Sequence, residues 1–152
     1  MCVIVDANLA STIFSSPPHP DFVPVLDWLQ ERDGCLVVGG HLARELDRLQ
    51  NARRFVVALL RAGRARRIPD ETVEQHAGEL ETTGLCESND CHVIGLALAS
   101  GARTLCTHDK ALQRDFRDPA IVSEPRGSIY LRPAHTSLLR HSSSCGLRRR
   151  RG

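Results

Sequence analysis

No run of apolar residues in this chain approaches the roughly 20 needed to cross a bilayer as a helix, so the sequence gives no reason to expect a membrane partner. Aromatic residues make up 4% of the 152 positions. A core must therefore rest on Leu, Val, Ile and Ala, and few side chains are left for stacking on bases. Lysine is almost missing: Lys110 stands alone, and arginine carries the remaining positive charge. No two of the six cysteines form a CxxC pair, and the spacings among Cys86, Cys91, His92 and His108 fit no common zinc pattern. Cys35 and Cys106 lie inside apolar stretches, where cysteine acts as a small buried hydrophobe in a reducing compartment. GxSxG, P-loop and GxGxxG sequences are absent, which removes support for serine hydrolase and nucleotide-binding readings. Met1–Val5 has no basic flank and runs straight into Asp6, so no secretory signal is expected and a cytoplasmic protein is.

What is present suits one domain: 41% of residues are hydrophobic, enough for a core without disulfides. The net charge of +2 is unevenly spread. Arg140 and Arg148–Arg151 fall in an acid-free terminal stretch, and the rest holds 15 basic against 18 acidic residues. The body is thus no generic polycation that binds nucleic acid by charge alone.

Short apolar runs alternate with helical spacings. Val3-Ile4-Val5, Cys35–Val38 and Arg103–Cys106 read as buried strands, with Ala120–Val122 and Ser128–Leu131 as closing strands. Helices are expected over Asp21–Arg32, His41–Gln50, Arg53–Ala65, Pro69–Thr82, Ser88–Ser100 and Lys110–Phe116. Alternation of this kind predicts an α/β fold with a mainly parallel central sheet.

In open sheets of that class, sites gather at the carboxyl ends of the strands. Asp6 and Asp109 follow two such strands. Asp90 lies in the first turn of the helix leading into the Asp109 strand, and Glu45 lies early in the helix after Cys35–Val38. Four converging carboxylates repel one another unless a cation neutralises them. Mg²⁺ or Mn²⁺ does so with oxygen ligands, and activates water for attack on a phosphodiester. Asn8, Ser88, Asn89 and Thr107 are polar neighbours able to orient ligands or water. Each acid also has a plainer role: Asp90 and Asp109 can cap helices, and Glu45 can be a solvated helix residue. Asp115 reads as lying on the exposed side of its helix. Asp6, directly after a buried strand, is the hardest to account for without a site.

These segments resemble the PIN-domain family, which includes VapC-type toxin ribonucleases. The resemblance rests on Val3-Ile4-Val5-Asp6-Ala7-Asn8, His41-Leu42-Ala43-Arg44-Glu45-Leu46, Ser88-Asn89-Asp90 and Thr104-Leu105-Cys106-Thr107-His108-Asp109, with Leu112 and Phe116 following. It implies a three-layer α/β/α sandwich over residues 1–133, followed by a disordered basic tail at 134–152. It further implies a metal-dependent endoribonuclease whose metal is held by Asp6, Glu45, Asp90 and Asp109. An antitoxin partner and a homodimer follow from the same resemblance. Arg61, Arg64, Arg66 and Arg67, at an arginine-rich helix end, are candidate RNA contacts.

Two rivals stand beside this reading. A catalytically degenerate scaffold of the same family binds RNA or a protein without cutting. A haloacid-dehalogenase-type phosphatase also opens with an apolar strand and Asp, but needs a second acid where this chain has Asn8.

Overall fold

The computed structural model describes residues 2–139. Five short strands, β1 (Cys2–Val5), β2 (Cys35–Gly39), β3 (Ala65–Ile68), β4 (Thr104–Cys106) and β5 (Ser128–Ile129), form one sheet in the order β3-β2-β1-β4-β5. Every pairing is parallel. Helices flank the sheet and complete an α/β/α sandwich: α1 (Ala7–Ile13), α2 (Val23–Glu31), α3 (Gly40–Asp47), α4 (Gln50–Arg61), α5 (Asp70–Thr83), α6 (Cys91–Ser100) and α7 (Lys110–Arg117). None of the described helices is long and apolar enough to cross a membrane.

β1 and β2 are buried along their whole length, as the apolar runs require of central parallel strands. The chain lays β2 and β3 to one side of β1, then crosses back to place β4 and β5 on the other. The strand order therefore reverses between β1 and β4, where an open parallel sheet leaves a crevice past its carboxyl edge.

Two glycines set the helices that border this crevice. Gly40 has φ +58° and lets α3 start directly after β2; a Cβ there would lie 2.9 Å from Val73 Cγ1. Gly95, inside α6, brings that helix against α5 so closely that a Cβ would meet Val73 O at 2.8 Å and Ala77 N at 2.9 Å. At the N-terminal end of α3, Asp70 Oδ1 accepts from Gly40 N and Oδ2 pairs with Arg44 at 3.0 Å, which ties α3 to the start of α5.

The structure corrects three expectations. The helix predicted over Arg53–Ala65 ends at Arg61, and Ala65–Ile68 forms the edge strand β3. Ala120–Val122 is a turn, and the last strand is only Ser128–Ile129. Asp115 is buried at 3% exposure, not on an open helix face. At the start of the expected tail, Pro133–Leu138 form a 3-10 helix and Leu139 is buried. Arg140 and Arg148–Arg151 lie outside the described residues.

Candidate metal centre

Asp6 sits at the crevice because β1 ends there. The ladder between β1 and β4 runs to Val5–Cys106 and closes with Asp6 N donating to Cys106 O at 2.9 Å. That register sets Asp6 beside Thr107. Asp6 caps α1: its Oδ1 accepts from Ala7 N at 2.8 Å, and its Oδ2 accepts from the Thr107 hydroxyl at 2.7 Å. The same Thr107 oxygen accepts from Asp109 N at 3.1 Å and from the Asn8 side-chain amide at 3.3 Å. One fully buried hydroxyl thus joins the acids that follow β1 and β4. Gln113 fixes the same residue from α7, donating to Thr107 O at 2.7 Å.

Asp109 begins α7, its Oδ1 accepting from Ala111 N and Leu112 N. The helix-cap reading thus describes one of its oxygens. Asp90 occupies the cap position of α6, yet its side chain makes no cap hydrogen bond. Its backbone N donates to Ser88 Oγ at 3.3 Å, and Ser88 is itself buried. Two backbone N–H groups upstream of Asp90, those of Glu87 and Ser88, donate to the buried Asp115 carboxylate at 2.9–3.0 Å. Asp115 therefore anchors the loop that delivers Asp90.

The carboxylates sense one another. Burial pushes the Asp6 carboxyl above its ordinary range; the hydrogen bonds from Thr107 and Ala7 oppose this, and the charge of Glu45 adds to it. Burial also raises Asp90, with further upward pushes from Asp6 and from Asp109, while His92 pulls it down. Glu45 completes the group from α3. His41 Nε2 lies 3.5 Å from its Oε2, and His92 Nε2 lies 3.7 Å from its Oε1. His92 Nδ1 is 3.9 Å from Asp90 Oδ1, so this imidazole stands between the two acids.

The structure thus brings Asp6, Glu45, Asp90 and Asp109 to one crevice from four segments of chain. Oxygen donors in such a set suit a hard divalent cation, and the burial and mutual repulsion that raise Asp6 and Asp90 are what a cation relieves. Of the supporting residues, Thr107, Asn8 and Ser88 hold the frame. Asn8 Oδ1 accepts from His108 N, so its amide braces the loop after β4. Asn89 is exposed and borders a depression with Leu80, Gly84 and Cys86.

The arginines do not act as a set. Arg64 spends its guanidinium on the carbonyls of Leu29 and Arg32 and ties α2 to the approach of β3. Arg66 and Arg67 belong to β3, Arg66 half-buried and Arg67 exposed. Arg61 lines a groove along α4 with Arg48, Arg53 and Arg54. The sequence did not point to His41, and His92 entered only as a zinc candidate with Cys86, Cys91 and His108 that the spacings did not support. A His-x-x-x-Glu spacing within α3 was the available signal for His41, since residues four apart share a helix face. Nothing in the sequence pairs His92 with Glu45, because only the fold brings α6 against α3.

Residues 3–116 match the family model described as PIN domain. No curated protein matches the chain. Among solved structures, a chain of VapBC2 from Rickettsia felis, determined bound to a DNA fragment from its promoter, is similar at 19% identity. The match covers 85% of this chain and 97% of that one with a TM-score of 0.50, a likeness of fold.

Proposed function

Because the chain belongs to the PIN domain family, we propose that it is a divalent-metal-dependent endoribonuclease in which Asp6, Glu45, Asp90 and Asp109 hold Mg²⁺ or Mn²⁺. The observation that carries this reading is the uncapped Asp90 carboxylate, raised by burial and by Asp6 and Asp109 at the strand-order reversal. A helix-start acid that makes no cap and is crowded by two others is poorly explained as a fold element. It is well explained as a ligand.

When bound, the cation lowers the pKa of a water and stabilises charge on the phosphodiester under attack. The chain's own residues prepare the place. Thr107 fixes the rotamer of Asp6 and thereby the direction of its free lone pairs. Asp109 caps α7 through Oδ1 and meets the Asp90 carboxyl through a side-chain hydrogen bond. The groove with Arg48, Arg53, Arg54 and Arg61 offers phosphate contacts for the RNA strand. Arg64 drops out of that role, because two carbonyls engage it. Asn8, an amide already braced against Thr107 and His108, cannot titrate and so cannot serve as the acid/base that the phosphatase alternative requires.

The proposal extends to a toxin role with a small antitoxin partner and a homodimeric state, on the family resemblance of the four motifs. Purified protein incubated with several single-stranded RNAs and Mg²⁺ or Mn²⁺ should cut at least one, and chelation should stop it. Asp6→Asn and Asp90→Asn should each lower the rate at least about 100-fold. Cleavage by both variants at the wild-type rate would remove the site assignment. Binding without cleavage by wild type would favour the degenerate scaffold. Growth arrest on expression, lost in Asp6→Asn, tests the toxin role separately.

A further inference from the structure

We propose that His41, Glu45 and His92 form a second metal site, for Zn²⁺ or a similar late first-row divalent ion, which shares Glu45 with the acid cluster. One ligand atom from each residue lies within 4.8 Å of the other two. Around a tetrahedral ion with bonds of about 2.0–2.1 Å, ligand atoms stand about 3.3 Å apart. His41 Nε2 lies 3.5 Å from Glu45 Oε2 and His92 Nε2 lies 3.7 Å from Glu45 Oε1, two different oxygens of one carboxylate, so closing the set from within 4.8 Å to that spacing takes side-chain rotation about the ion.

The plain alternative is a pair of histidine–carboxylate ion pairs. Charge-assisted hydrogen bonds of that kind run at about 2.7–2.9 Å, and both separations are well beyond it. More decisively, His92 Nε2 is buried and has no hydrogen-bond partner. An unpaired buried nitrogen is costly, and this one points at the gap between Glu45 and His41. The two rings meet edge to face, centroids 4.8 Å apart and planes at 87°, rather than stacking. His41 and Glu45 are one turn apart on α3, and His92 is the second residue of α6, so all three sit on regular helix.

Imidazole nitrogens select the ion. Mg²⁺ prefers an all-oxygen shell, whereas two imidazoles and a carboxylate suit Zn²⁺, Co²⁺ or Ni²⁺. Three protein ligands leave a fourth position open for water or a phosphate oxygen. Asp90 Oδ1 lies 3.9 Å from His92 Nδ1, on the side of the ring away from Glu45, beyond hydrogen-bond distance but close enough to favour a positive charge there. The two sites are therefore neighbours with different ion preferences, joined by one glutamate.

Zn²⁺ binding to the full chain, measured by titration calorimetry and by Co²⁺ absorption, tests this directly. Wild type should take up Zn²⁺ in a site that His41→Ala and His92→Gln each weaken by at least about 100-fold, with both variants keeping the wild-type melting profile. The Co²⁺ spectrum should show low-symmetry d–d bands and no thiolate charge transfer. Unchanged Zn²⁺ affinity in both variants, or a thiolate band assigning the ion to Cys86 and Cys91, overturns the inference. The test does not require RNA cleavage. Mg²⁺-dependent cutting with histidine-indifferent Zn²⁺ binding sinks this inference alone; histidine-dependent Zn²⁺ binding without cutting sinks the nuclease reading alone.

Discussion

The Thr107 hydroxyl donates to Asp6 Oδ2 at 2.7 Å across the β1–β4 boundary, and accepts from the backbone N of Asp109. It couples the two strand-end acids through a single atom. Thr107→Val keeps shape and removes both roles. It should lower RNA cleavage by about 10–100-fold, the usual effect of losing a partner that orients a metal ligand. Thr107→Ser, which keeps the hydroxyl, should stay near wild type. Equal losses in both variants would mean that packing, not the hydrogen bond, is what matters. Parallel melting curves and rates measure it.

Burial, with a smaller push from neighbouring acids, makes the metal-free protein pH-sensitive. Asp6 and Asp90 are raised above 3.8 in the fold. Between that value and the raised one, the folded chain binds more protons than the unfolded chain, so stability falls as pH rises through the window. Chelated wild type should thus melt at a higher temperature at the acid end of the window than above it, as far as these two groups decide. Asp90→Asn should melt higher than wild type at neutral pH without metal, and gain less from added Mn²⁺. Thermal melts with and without chelator read both effects. A variant that is less stable than wild type in chelator would contradict an unfavourable burial of the Asp90 charge.

Asp115 reaches the site only through the backbone. Asp115→Ala leaves the Glu87 and Ser88 N–H groups without their acceptor and should destabilise the fold by about 1–3 kcal/mol. Because those residues carry the chain to Asp90, metal affinity should fall even where the variant is fully folded. Denaturant melts and Mn²⁺ titration at low temperature separate the two. Unchanged affinity in folded Asp115→Ala would show that Asp90 is placed by α6 alone.

Gly95→Ala puts a Cβ against the backbone of α5, at 2.8 Å from Val73 O. Backbone cannot move aside as a flexible side chain does. The expected loss is about 1–3 kcal/mol, as for other overpacked cores, read from denaturant midpoints. A neutral result would mean that α5 and α6 separate more freely than their contact implies.

Asp6, Asp90 and Asp109 were legible because each follows an apolar strand or opens a helix, and parallel sheets gather such positions at one edge; Glu45 was expected early in its helix but lies in the last turn of α3, which ends at Asp47. The PIN-domain order of motifs held across residues 3–116. β3 was missed for a physical reason: Ala65–Ile68 is four residues with two arginines in its middle, and an edge strand tolerates them. It therefore read as the basic end of α4. Asp115 was misplaced although its spacing pointed inward, since Leu112, Asp115 and Phe116 share one face of α7 and all are buried. A carboxylate there looked solvated only because its backbone partners come from a distant loop. His92 was weighed only beside cysteines near it in sequence, and its actual neighbour was not legible. Its significance lies in facing Glu45 across two helices, and no local pattern encodes that.

The claim that four acids form one metal centre is tested most directly by Mn²⁺ binding, followed by electron paramagnetic resonance on wild type, Asp6→Asn and Asp90→Asn beside their RNA cleavage rates. Each variant should bind Mn²⁺ at least about tenfold more weakly and lose cleavage in step. Wild-type Mn²⁺ affinity in both variants would contradict the account, whatever the chain does to RNA.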